Sequence, residues 1–173
     1  MKKLMVIAFA LVFAACAHNK GPMAMATLDS TSGSTAKGTV HFQNAGDDGV
    51  EVTADLTGVP AGVHGFHVHE KGDCGNNGTN AGGHFNPMSS VHGAPDAVSH
   101  HAGDFGNVTA DEKGEVHARF TTHSITINTG ANAVVGHAVV LHGNPDDLVS
   151  QPAGNAGPRI ACGVTTLMGT MQP

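Results

Sequence analysis

Residues 50–57, VEVTADLT, alternate apolar and polar side chains without a break, and this alternation limits the fold more than any other feature. A period of two puts every second side chain on one face of an extended strand, which describes a half-buried strand and not a helix. The pattern recurs at hairpin spacing in AMATLDS (24–30), GTVHFQ (38–43), the segment 63–69, GNVTAD (106–111), EVHARFT (115–121), VVGHAVVLH (134–142) and RIACGVTTLM (159–168). Clusters of Gly, Asn and Asp separate these segments, as turns require. Eight strands in 173 residues predict one all-β domain, a sandwich or a closed Greek-key barrel.

Two stretches break the pattern. One begins at Lys71 and runs for about thirty residues rich in Gly, Asn and His, and the other spans 143–158. Connections this long inside a compact domain generally carry function. Only 13% of residues are charged, and there is no basic run beyond Lys2-Lys3, so nucleic-acid binding has no electrostatic footprint.

The N-terminus reads as an export signal over residues 1–15. Lys2 and Lys3 form its positive region, Leu4 to Phe13 its apolar region, and Ala14-Ala15 the small residues before a cut. Cys16 follows as in a lipoprotein cleavage box, which predicts lipidation at Cys16, a tether over 16–23 and a domain over 24–173. The alternative is a plain secretory signal with an incidental cysteine. Removal of Lys2 and Lys3 takes the formal charge from −6 to −8, so an anionic substrate needs a local positive focus. Export also means an oxidising compartment, in which Cys74 and Cys162 remain either as a bonded pair or as two thiols.

Histidine is the other unusual feature, with thirteen in a chain that lacks Trp and Tyr. His67 and His69, two apart on a strand, project from one face and can ligate one ion. His142 ends another apolar strand. The first long loop adds His84, His92 and His101, with Asp104 three residues later. Mixed imidazole and carboxylate donors suit zinc, and an all-imidazole set tolerates copper. His41, His64, His117, His123 and His137 read as hydrogen-bonded core or surface residues.

The segments GFHVHE, AGGHFNPMSSVHG, HAGDFGNVTAD, VVLHGNPDDL and GNAGPRIACGV resemble the Cu,Zn superoxide dismutases, in particular exported bacterial forms, over residues 24–169. That resemblance implies an eight-stranded Greek-key β-barrel of immunoglobulin-like sandwich form with two functional loops. It implies copper on His67, His69, His84 and His142, and zinc on His84, His92, His101 and Asp104, with His84 shared. His100 is the rival for the place given to His101. Asp146 would link the two sites through His67 and His92, and Arg159 would sit beside the copper. Cys74 and Cys162 would form a disulfide, with Gly72 and Asp73 as turn formers.

The implied reaction is conversion of superoxide to dioxygen and hydrogen peroxide, with copper alternating between its two oxidation states and zinc orienting His84. The implied setting is the periplasm or cell envelope, with the membrane reached only through the lipid anchor. The loop 143–158 contains no Lys, Arg or Glu, which leaves Lys71 as the candidate for substrate steering. A metal carrier lacking turnover, a copper-only dismutase and a structural lipoprotein are the rival readings, and the sequence leaves monomer or homodimer open.

Overall fold

The computed structural model describes residues 21–46 and 49–170. Nine strands follow in order: β1 Pro22–Ser30, β2 Lys37–Gly46, β3 Gly49–Thr57, β4 Gly62–His69, β5 Asp104–Ala110, β6 Val116–Thr122, β7 Ala138–His142, β8 Arg159–Val164 and β9 Thr166–Thr170. A short 3-10 turn, Thr79–Ala81, lies in the β4–β5 connection. The signal segment, Cys16 and the tether up to Lys20 lie outside the described residues. β1 begins at Pro22, so Pro22 and Met23 of the expected tether belong to the sheet.

All pairings of these strands are antiparallel, in the order β5-β4-β7-β8-β1-β2-β3-β6, with β9 added beside β1. The eight strands of that path form a nearly closed Greek-key barrel. β5 and β6, at its two ends, share no ladder, and the rings of Phe105 and Phe120 meet across the seam with centroids 5.4 Å apart. Alternation works as the sequence indicates on β3, where Val50, Val52, Ala54 and Leu56 are buried. Their neighbours Glu51, Thr53 and Asp55 face outward, and Arg119 donates to Glu51 at 2.7 Å.

β4 departs from simple alternation, because both of its faces are covered from His64 onward. Phe66 and Val68 enter the main core with Leu28, Val40, Phe42, Leu56 and Leu141. On the other face His67 and His69 are also buried, beneath the long loops and not in the barrel interior. β7 is split in the same way: Val139 and Leu141 join the main core, while Ala138 and Val140 pack with Ala81 and Cys162.

Two strand predictions need correction. The segment 134–142 is a strand only from Ala138, because His137 N–H bonds back to Val134 O at 3.1 Å and makes a turn. The segment 159–168 breaks at Thr165 into β8, paired with β7, and β9, paired with the start of β1. The β6–β7 connection also adds to the core, through Ile125, Ile127 and Val134.

Candidate metal centre

Strand registry assembles the histidines. β4 offers His67 and His69 on one face, and β7, its neighbour, ends at His142. Phe85 N–H bonds to Val68 O at 2.8 Å and Glu70 N–H to Gly83 O at 2.9 Å, which seats His84 against His69. Asp104, the first residue of β5, is the register partner of His67. Two donor groups result: His67, His69, His84 and His142, and then His84, His92, His101 and Asp104. In each group the donor atoms lie within 4.8 Å of one another, and every member is buried. His84 belongs to both.

Hydrogen bonds fix which nitrogen of each ring faces inward. His69 Nδ1–H donates to Gly82 O at 3.0 Å and His142 Nδ1–H to Gly157 O at 3.3 Å. A neutral imidazole carries one N–H, so both Nε2 atoms are left as bare lone pairs, 3.3 Å apart. His67 Nε2–H donates to Asp146 Oδ2 at 2.8 Å, and its Nδ1 is buried with no partner. His84 turns Nδ1 to Asp104 Oδ1 at 2.7 Å and leaves Nε2 unpartnered. His92 Nδ1 is a third orphan, 3.0 Å from Asp104 Oδ1.

Buried lone pairs without a proton donor are costly, and a cation removes that cost. The donor chemistry therefore fits metal ions at both groups. Burial, reinforced by neighbouring imidazoles, pushes His67 and His69 well below the usual histidine range. Burial takes His142 down to about 4 and also lowers His101. For Asp104 burial acts upward, yet the hydrogen bonds from His84 and from His101 N–H win and hold its carboxyl well below the usual carboxylate range. At neutral pH His67, His69, His101 and His142 are thus uncharged and Asp104 is ionised, the forms that bind metal.

Asp146 ties the two groups together. Its Oδ2 meets His67 Nε2 at 2.8 Å and its Oδ1 meets His92 Nε2 at 3.0 Å. Two side-chain amides that the sequence reading passed over hold this link. Asn107 on β5 clamps the main chain of Asp146, accepting its N–H at 2.8 Å and donating to its carbonyl at 2.9 Å. Gln151 does the same to His92, at 2.9 Å in both directions. For Asn107 the one available signal was an amide in the middle of a strand, where such residues are scarce, although that does not name its partner. Gln151 lies in a loop and offered none. His100 stays outside both groups and donates Nδ1–H to His101 O at 2.8 Å.

Arg159, the first residue of β8, donates to the carbonyl oxygens of Gly78 and Gly82. The disulfide Cys74–Cys162 anchors that loop to β8, closing a span of 88 residues with Cα atoms 5.7 Å apart. Asp73 accepts Gly75 N–H at 2.8 Å, a turn role as expected. Arg159 lines an open pocket with His69, His84 and His142, one wall of which is the loop from Gln151 to Gly157. Lys71 is exposed, with its Nζ 3.9 Å from Glu70 Oε1, which offsets its charge. Among the other histidines, His64 is buried between carbonyl oxygens of Pro60 and His142, and His117 sits on the surface beside Asp55.

The crystal structure of the clock protein EA4 is similar to this fold, with a TM-score of 0.78 and 36% identity, covering 94% of this chain and 99% of that one. A family model described as copper/zinc superoxide dismutase matches residues 36–165, from the end of the β1–β2 turn to just past β8. That span includes both donor groups, the disulfide and Arg159, and the chain belongs to the copper/zinc superoxide dismutase family, with copper and zinc as its cofactors.

Proposed function

We propose that this enzyme disproportionates superoxide, with copper held by His67, His69, His84 and His142 and zinc by His84, His92, His101 and Asp104. The observation that carries this reading is the placement of His84, which turns Nδ1 toward Asp104 and leaves Nε2 bare beside the all-imidazole group. One ring thus addresses both groups. Mixed nitrogen and oxygen donors favour zinc, and four imidazoles accept copper in either oxidation state. When bound, copper supplies the one-electron exchange with superoxide, and zinc supplies charge without redox chemistry.

The residues do the rest. Asp146 fixes the tautomers of His67 and His92, which keeps each Nδ1 free as a donor atom. His84 Nε2 would take up a proton from solvent in one half of the cycle and give it to the reduced substrate in the other, where water supplies the second proton of hydrogen peroxide. Arg159 keeps a permanent, planar positive charge at the pocket mouth, suited to a small anion that a chain of net negative charge otherwise repels. Residues 1–15 direct export, Cys16 carries the lipid, and the enzyme protects the cell envelope from superoxide.

Metal analysis together with a superoxide-consumption assay tests the reading. The loaded protein is expected to hold one copper and one zinc and to consume superoxide. His84→Ala should abolish turnover, lower the affinity for both metals and change the electron paramagnetic resonance spectrum of copper(II). Equal copper and zinc without consumption would assign the chain to metal carriage instead.

A further inference from the structure

We propose that Gln151 is a positioning residue for the zinc group, holding His92 in place by its main chain. This rests on the reading of His84, His92, His101 and Asp104 as zinc ligands. The side chain of Gln151 is fully committed although the residue is exposed. Its Oε1 accepts the N–H of His92 at 2.9 Å, and its Nε2 donates to His92 O at 2.9 Å and to Val149 O at 3.2 Å. A donor on one side and two carbonyls on the other admit only one orientation of the amide.

The need for such a clamp follows from where His92 lies. The connection between β4 and β5 contains no strand of its own, so the backbone at His92 has no ladder to hold it. Gln151 supplies the N–H and C=O partners that an adjacent strand would. Asp146 meanwhile holds the far side of the ring at Nε2. A ring pinned at its tip and at its main chain has little freedom left at Nδ1, the atom turned toward Asp104. Both pins come from the loop 143–158, 54 and 59 residues along the chain from His92. Zinc affinity therefore depends on a residue that touches no metal.

The test compares wild type, Gln151→Leu and Gln151→Asn by zinc titration against a competing chelator, and by copper titration in parallel. Leucine removes the amide; asparagine keeps it but is one methylene too short to reach. Both variants are expected to weaken zinc by about tenfold, the usual cost of losing a partner of a metal ligand. Copper affinity should stay within about twofold, because His67, His69 and His142 do not contact Gln151. The His92 amide should also exchange with solvent faster in the metal-free variants.

Equal zinc affinity in all three proteins overturns the assignment, and so does an equal loss of both metals, which would mean general loosening. Failure of wild type itself to bind zinc at this group would overturn the ligand reading and the clamp's role with it, a result distinguishable from the other two.

Discussion

Gly154 packs its α-carbon against the carboxylate of Asp146 so closely that a methyl group there would overlap Oδ1 and stand 2.7 Å from His92 Nε2. Its φ of +63° is also one that side chains with a Cβ adopt at a cost. Gly154→Ala should therefore push Asp146 off His92 and cut zinc affinity by tenfold or more, in the range typical for partners of metal ligands. Chelator competition reads this directly, and unchanged zinc affinity would show that the carboxylate can move without cost.

The disulfide makes a separate prediction. Cys74→Ser with Cys162→Ser should lower unfolding free energy by about 2–4 kcal/mol, the range expected when a long loop is released in the unfolded chain. The same change frees the loop whose carbonyls at Gly78 and Gly82 hold Arg159, so turnover should fall further than metal content does. Denaturant midpoints and metal analysis on one preparation separate these effects.

Arg159 is expected to act by shape as well as charge. Arg159→Lys keeps the cation but cannot bond two carbonyls in a plane while facing the pocket. It should reduce kcat/KM several-fold, and Arg159→Gln should reduce it more and flatten the dependence on ionic strength. Lys71→Gln should change the salt profile little, because Glu70 already offsets that lysine. Stopped-flow rates across a salt series give all three answers.

Acid should weaken the metal-free protein in a defined window. An unfolded histidine takes a proton near pH 6.5, whereas burial keeps His142 neutral in the fold down to about 4. Between these values the unfolded chain binds more protons, so stability falls as pH falls through the window. His142 alone accounts for roughly 3 kcal/mol of this, with His67 and His69 acting in the same direction. Unfolding curves of the metal-free protein at pH 7, 5.5 and 4 check the sign, and stability that is flat or rising on acidification would contradict it.

The histidine cluster was legible because a strand period of two and one long loop supply most of its members, while its division into two groups came from the family resemblance. His67 and His69 are imidazoles in an otherwise apolar strand because the second face of β4 lies under loops and not in solvent. Strand ends were less legible. Val134 is as buried as any strand residue, yet it starts a turn, and apolar character does not distinguish the two. Asn107 and Gln151 were missed for another reason: their partners lie 39 and 59 residues away, and no local pattern records such a contact.

The seam between β5 and β6 has a consequence for how copies of this chain meet. Each strand there has one row of amides and carbonyls without a neighbouring strand, and such margins are where polypeptides add to one another. Asp104 opens β5, so a cation bound there would steady one lip of the gap. Without metal, the molecule should be most prone to self-association along this line, where the edge-on rings of Phe105 and Phe120 and the Asp111–Glu115 turn join the two strands.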